Sequence, residues 1–419
     1  MIYVTRTKIK IEANPKRVIA KFLKFSNKER IRRIVSDLLS MDEKAVEKAL
    51  YQVLEEFENR HMGFKKVLLE NYENLEPYIP SQSALSSSRK LLLGSYFTHE
   101  YSVESAALFN PSIVMHPDQS GTKEGEVRFI LSLRATGEGH ISSIEFTSGI
   151  ISKAGEIALD PTPSKLAGAY LTSSDIPEAN YDIAFDKETA LGSRVIFPVS
   201  EAESGGMEDV RFVEFSDQDK TTYIGTYTAF NGKEIKPKII ETRDFISFNI
   251  RALHGKAALD KGMALFPEKI NGKYTMISRQ GGENMSIMYS DDLYCWDSYK
   301  TIQKPEREWE LTQLGNCGSP VKTASGWLLL THAVGPMRKY VIGASLLDLR
   351  NPDVVLATLD KPLLYPDTNE REGYVPNVVY TCGSMQHFGN LIIPYAMSDS
   401  AISFARVDIK MLIDELLKK

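Results

Sequence analysis

Two textures of hydrophobic spacing divide this chain. From about Pro15 to Tyr78, apolar residues return every three or four positions, the period of a helix with one buried face. Lys16–Phe22 opens the pattern, and Asn27–Leu39 carries it through Ile31, Ile34, Val35 and Leu38. Asp42 suits an N-cap, and after it Ala45, Val46, Ala49, Leu50, Val53, Leu54 and Phe57 share one stripe. The pattern predicts a helical arm of three helices that ends near Arg60-His61. The Ser- and Pro-rich run Pro80–Ser88 reads as a linker.

Beyond it, short apolar runs follow one another between Gly, Asn, Asp and Pro. Lys90–Phe97, Val127–Leu133, Ser193–Phe197, Tyr274–Ser278, Trp327–His332 and Leu391–Tyr395 predict strands. Many short strands with regular turns mean an all-β sandwich, barrel or propeller. A degenerate echo at roughly forty-residue spacing favours blades. Leu133-Arg134 leads to Ile141–Phe146, Tyr227–Ala229 to Ile239–Phe245, and Ser278-Arg279 to Ile287–Trp296. A short amphipathic helix is predicted from Asp408 to the end. Residues 1–80 are therefore expected to form an N-terminal strand and helical arm for packing or oligomerisation, and residues 81–419 a mainly β domain.

Composition narrows the class of function. A net charge of −5 argues against a nucleic-acid partner. No apolar run is long enough to span a bilayer, and the N-terminal segment lacks a signal-peptide core. Cys295, Cys317 and Cys382 are widely spaced and odd in number, which fits free thiols in the cytoplasm. No His/Cys spacing suits a metal, no Gly-x-Ser-x-Gly elbow occurs and no nucleotide-type phosphate loop occurs. No metal or organic cofactor is expected.

The chemistry-bearing stretch is Gly205-Gly206-Met207-Glu208-Asp209-Val210-Arg211. Two carboxylates and an arginine follow a flexible turn at the start of a strand, where side chains can face a shared pocket. Cleavage of a glycosidic bond needs two carboxyl functions. Glu138, Glu241 and Glu268 also lie beside apolar strands. Against this, an acid at a strand end is ordinarily solvated, and Glu208 and Asp209 read equally well as local partners of Arg211. His140 and His332 are ordinary structural histidines on the same weighing. Tyr227, Trp296, Tyr374 and Tyr395 suit sugar stacking, though aromatics at such positions are more often core.

Together these residues resemble glycoside hydrolase family 130, the β-mannoside phosphorylases and β-1,2-mannosidases. The resemblance runs from about Leu91 onward. It rests on Phe109-Asn110-Pro111-Ser112, Arg134, His140–Ile144, Glu208-Asp209-Val210-Arg211 and Lys261–Pro267. It continues through Thr331-His332-Ala333-Val334, Ile342–Leu349, Pro362-Leu363-Leu364, Gly373–Val379 and Tyr395–Asp399. It implies a five-bladed β-propeller with the sugar in a central funnel, and inverting chemistry on β-mannosides. Asp209 matches the proton donor of the phosphorylases, relayed through a sugar hydroxyl. Glu208 matches by position, with Glu241 first and Glu138 second as the other carboxylate. Asn110, Arg134, His140, Arg211, Tyr227, Lys261, Arg279, His332, Tyr374, Asn377 and Asp399 are the expected sugar-holding residues. Val210 stands where the family usually has proline.

Attack by phosphate requires converging cations, and Arg134, Arg211, Lys261, Arg279, His332 and Lys339 are available. An intruding Glu138 or Glu241 would repel phosphate and activate water instead. The expectation is therefore a hydrolase of β-mannosides, of the β-1,2-linked kind. A phosphorylase using inorganic phosphate as co-substrate is the alternative, and a non-catalytic sugar-binding propeller a further one. The expected partners are a mannose-containing oligosaccharide and, through the helical arm, further copies of the chain. No nucleic acid or membrane is expected.

Overall fold

A computed structural model describes residues 3–80, 84–175, 179–218 and 220–418. Chain contacts divide it into two units. One comprises residues 15–103 and 163–167, and the other residues 1–14, 104–162 and 168–419. The boundary thus departs from the predicted 80/81 division at both ends. Residues 81–83 of the predicted linker lie outside the described residues.

Among its described residues the smaller unit holds four α-helices: α1 (Lys28–Ser40), α2 (Glu43–Phe57), α3 (Phe64–Glu73) and α4 (Ser87–Tyr96). The predicted stripe of α1 and α2 is buried through Ile31, Val35, Leu38, Val46 and Leu50. Asn27 and Asp42 accept from the first free N–H groups of these helices, as N-caps do. Two expectations are overturned. Val18–Phe22 is a strand, not a helix, paired antiparallel with Thr98–Ser102. The β-branched pair Val18-Ile19 resists helix and suits a ribbon. Conversely, Lys90–Phe97 is not a strand. It lies mostly within α4, which begins behind a Ser86 side chain accepting from Arg89 N. The same helix packs so closely on α3 that a Cβ at Gly94 would lie 1.9 Å from the Leu68 carbonyl oxygen.

The larger unit is mainly β. Its first meander runs Ala107–Met115, Val127–Thr136, Ser142–Ile151 and Ile157–Leu159. Pairing between Ser142 and Gly206 joins this meander to a second one. That second meander orders Gly206–Asp217, Lys220–Phe230, Ile235–Thr242 and Ser247–Ala252, followed by Asn180–Ala184 and Tyr170–Asp175. A separate sheet holds Ala264–Leu265, Tyr274–Ser278, Met285–Ser290 and Lys300–Gln303. Another is built around Gly326–Val334 and Tyr340–Leu347. In the last sheet Asn390–Met397 pairs with Ala401–Asp408, which also pairs with the N-terminal strands Thr5–Arg6 and Ile11–Glu12. Residues 5–12 and 390–408, far apart in sequence, therefore share one sheet. The C-terminal helix α5 (Ile409–Leu416) forms as expected, capped by Asp408.

The core lies between sheets, where apolar faces meet. Phe146, Phe212, Phe245 and Phe248 form one aromatic cluster, and Phe266 meets Trp327 edge to face in another. No helix among the described residues is long and apolar enough to cross a membrane.

Two strands break register where the site will form. Ala107–Met115 shifts between Phe109 and Ser112, and Gly206–Asp217 between Glu208 and Arg211. Asn110 (φ 48°) and Asp209 (φ 55°) occupy these bulges in left-handed conformation. Asn and Asp tolerate that conformation better than other side chains, and a bulge re-aims a side chain out of the pleat.

Substitution Gly94→Ala is expected to destabilise the helical unit by about 1–3 kcal/mol, because backbone oxygen cannot yield to the added methyl. Denaturant titration followed by far-ultraviolet circular dichroism would measure it. Unchanged stability would show that α3 and α4 are farther apart than described.

Candidate active site

A polar cavity of about 270 Å³ opens in the larger unit, lined by Asn110, Arg134, Asp209, Lys261, Arg279 and His332, among others. Its chemistry starts from Gly206. A Cβ there would meet Ser142 N at 2.6 Å, and the backbone takes φ 135°, so only glycine lets this strand lie against Ser142. That approach carries Glu208 and Asp209 to Arg134, whose own strand pairs with the one holding Ser142.

Arg134 then binds three ways. Its Nε donates to Ser142 Oγ at 2.9 Å, Nη2 to Glu208 Oε1 at 2.8 Å and Nη1 to Asp209 Oδ1 at 3.1 Å. Its guanidinium also sits over the Phe109 ring, 4.9 Å from the centroid. Lys261 Nζ donates to Glu208 Oε2 at 2.6 Å, and Asn110 Nδ2 to Asp209 Oδ1 at 2.7 Å. Glu208 is thus committed to two cations. Burial pushes the Asp209 carboxyl up, but Arg134, Arg211, the Asn110 amide and Lys261 outweigh it and hold it at about 2. In the free protein Asp209 is an anion.

A second carboxyl behaves oppositely. Burial and the nearby Asp209 charge raise Asp399 to about 7, against the smaller opposing pull of Arg134 and Arg338. Two acids in one cavity thus differ in charge near neutral pH, the arrangement expected when like charges share a site.

The opposite wall is cationic. His332 Nδ1 lies 3.1 Å from the Asn316 carbonyl oxygen, which can only accept, so Nδ1 carries the ring proton. The Nε2 lone pair then accepts from Arg279 at 2.8 Å and faces the Gln313 amide at 2.9 Å. Burial, together with Arg279 and Arg211, pushes the imidazole well below its ordinary value, so His332 stays neutral. That partner therefore brings no charge against Arg279, and among the described residues no carboxylate is bonded to it. Arg211 lies behind, donating to Tyr380 Oη at 2.8 Å and to its neighbour's backbone, Asp209 O, at 3.0 Å.

Several expected residues are elsewhere. Glu241 accepts from Tyr294 Oη at 2.7 Å and does not line the cavity. Glu138 is exposed in a turn. Tyr227 is buried with Glu203, Lys238 and Tyr181, where Lys238 Nζ to Glu203 Oε1 is a fully buried ion pair of 2.8 Å. That network anchors the turn just before Gly205-Gly206 and is not a stacking surface. His140 Nδ1 and Tyr374 Oη are 2.9 Å apart, both residues exposed and neither on the cavity wall. Asn377 accepts from Arg371 Nε at 2.9 Å and also lies off the wall. Trp296 and Tyr395 are buried core. Lys339 sits over the Tyr365 ring, 5.0 Å from the centroid, while its neighbour Arg338 lines the cavity. Gln313, Arg338, Tyr340 and Tyr380 were missed. Tyr340 and Arg338 follow the His332 strand, so the strand was the signal and its turn hid the residues. Among the described residues no group of three or more His, Cys, Asp or Glu could hold a metal ion.

Comparison with known proteins bears on the family. A family model for glycoside hydrolase family 130, described as beta-1,4-mannooligosaccharide phosphorylase, matches residues 173–418. The 1,2-beta-oligomannan phosphorylase of Thermoanaerobacter sp. (strain X514) is 33% identical over 261 residues, covering 60% of this chain and 84% of the relative. The Beta-1,2-mannobiose phosphorylase of Listeria innocua is 29% identical over 229 residues, 53% of this chain and 63% of the relative. The solved structure of Beta-1,2-Mannobiose phosphorylase from Listeria innocua, in complex with beta-1,2-mannobiose, superposes with a TM-score of 0.52 at 22% identity. It covers 75% of this chain and 93% of that one, a likeness of fold. With more than half of its length matched by the family model and its acids and cations gathered in one cavity, this chain belongs to glycoside hydrolase family 130.

Proposed function

We infer that this protein is a β-mannoside phosphorylase that splits β-1,2-linked manno-oligosaccharides with inorganic phosphate and releases mannose 1-phosphate. The observation that carries the reading is the open charge of Arg279 in a cavity shared with Arg134 and Lys261. A phosphate dianion needs several converging donors, and guanidinium groups match its oxygens best. The hydrolytic expectation depended on Glu138 or Glu241 intruding there, and neither lines the cavity. The names of the relatives support the same choice.

The same reading takes the meanders of the larger unit as five blades around an axis. Support comes from the inner strands. Asn110 and Asp209 line the polar cavity, while Ile113–Met115 and Phe212–Glu214, farther along the same strands, line a second, apolar cavity. Pro267, Ser319–Lys322 and Gly383–His387 bring the other sheets to that second cavity.

In the proposed reaction a phosphate oxygen attacks the anomeric carbon and the glycosidic C–O bond breaks. The leaving oxygen takes a proton supplied by Asp209, relayed through a sugar hydroxyl. Arriving phosphate serves both steps. Its charge offsets the field of Arg134, Arg211 and Lys261, and so raises Asp209 from its low free value until it takes a proton from solvent to donate.

Product analysis on β-1,2-mannobiose is decisive. Mannose 1-phosphate is expected only when phosphate is supplied, and release of mannose alone, with or without phosphate, would overturn the reading. Arg279→Ala is expected to raise KM for phosphate at least about tenfold, equivalent to about 1.4 kcal/mol, with KM for mannobiose nearly unchanged. Asp209→Asn is expected to lower kcat by about 10²–10⁴-fold, and full turnover in that variant would remove Asp209 from the mechanism.

Asp399 gives a pH signature. Its folded value of about 7 lies above the ordinary 3.8 of the unfolded chain. Between those values the native state holds a proton that the unfolded state has lost, so this group's contribution to stability falls as pH rises through that window. Asp399→Asn should flatten the decline in urea midpoint between those pH values. Parallel wild-type and variant profiles would contradict the assignment.

A further inference from the structure

The turn between Gly326–Val334 and Tyr340–Leu347 carries an unusual tip, Pro336-Met337-Arg338. Met337 (φ 59°) and Arg338 (φ 53°) are successive left-handed residues, and neither is Gly, Asn or Asp. Such side chains rarely adopt that conformation, so the pair persists only because its surroundings enforce it. The base of the turn is pinned. Gly335 N donates to Lys339 O at 3.1 Å, and Tyr340 N to Asn377 O at 3.0 Å. The result is specific. Arg338 reaches the wall of the polar cavity, with Asp399 in its field. Met337, one residue earlier, is 90% exposed, more than any other large hydrophobic side chain described. A side chain that bare adds little to the core, and it directly precedes a residue of the cavity wall.

We propose that the Met337–Arg338 tip is the seat of the departing sugar: the Met337 thioether packs on the apolar face of that ring, and the Arg338 guanidinium donates to its hydroxyls. A sugar ring offers such a face of C–H groups framed by acceptors, and methionine adapts its flexible side chain to it. Arginine supplies several donors in one plane. The phosphate side of the cavity, at Arg279 and His332, is left to the attacking anion. This inference rests on the phosphorylase reading and divides its site into two halves with separable behaviour.

The test uses the synthetic direction, in which mannose 1-phosphate donates to mannose. Met337→Ala and Arg338→Ala are each expected to raise KM for the acceptor mannose about tenfold or more, and to leave KM for mannose 1-phosphate within about twofold. Met337→Leu should recover most of the acceptor affinity. Because Met337 is exposed, its melting temperature should match the wild type, which separates a binding role from a structural one. Unchanged acceptor KM in both variants would overturn the proposal, as would a rise confined to mannose 1-phosphate. A second arm does not need the reaction. With phosphate omitted and Asp209→Asn as background, calorimetric affinity for β-1,2-mannobiose should fall about tenfold or more on adding Met337→Ala. A wild type that makes no mannose 1-phosphate strikes the phosphorylase reading, while unaltered mannobiose affinity strikes the tip.

Discussion

Everything in the polar cavity depends on Arg134. Glu208 and Asp209 are neighbours in sequence, and a register shift turns both toward the same guanidinium. Two carboxylates so close in a poorly hydrated place would ordinarily share a proton. One planar cation with several donors holds both side by side, and Ser142 fixes its remaining edge. A lysine could not replace it, because a point charge on a flexible stem cannot hold two acids and a hydroxyl in fixed geometry. Removing the guanidinium would leave buried charge uncompensated, a loss of roughly 3–5 kcal/mol in comparable settings. The same contact ties the two bulged meanders together, so fold and charge state are set by one side chain.

From that centre the cavity's electrostatics follow. Lys261 and Arg134 are largely spent on Glu208 and Asp209. Arg279 is not spent, because its partner His332 is held neutral by burial and by the tautomer that the Asn316 carbonyl imposes. An arginine set against a neutral imidazole acts as an open anion site. Asp399 is the counterweight. Near neutral pH it is only partly ionised, so it does not cancel Arg279 and does not repel an incoming anion as a full charge would.

Much of this was legible in the sequence and some was not, for identifiable reasons. Helical stripes in α1 and α2 were clear because periodicity over a long segment is hard to imitate, and Asp42 marked a start. Lys90–Phe97 misled because a short run of leucines fits a buried strand or a helix equally, and the Ser86 cap was the overlooked arbiter. Val18–Phe22 misled in the other direction, since its partner Thr98–Ser102 is polar and distant in sequence. Within the site, Asn110, Arg134, Asp209, Lys261, Arg279, His332 and Asp399 were all named and all line one cavity. Glu138, Glu241 and Tyr227 were named because their residue types suit the chemistry, but residue type says nothing about direction. Lys339 in place of Arg338 is the instructive miss. Alternation along a strand predicts which side chain faces inward, and two left-handed residues in a turn break the alternation by one position.

Left-handed backbone recurs on the cavity wall. Asn110, Asp209, Arg338 and Asp399 all have positive φ, and all four line the same cavity. For Asn and Asp the cost is small, because a short polar side chain accepts the left-handed conformation. For Arg338 it is not. A chain free to relax would place glycine or asparagine there and lose only the guanidinium. Other side chains with positive φ, Phe245 and Phe388 among them, lie away from this cavity, so strain alone does not mark a site. What sets these four apart is that they come from more than one sheet and meet at one hollow, a direction that the pleat of a regular strand would not give them.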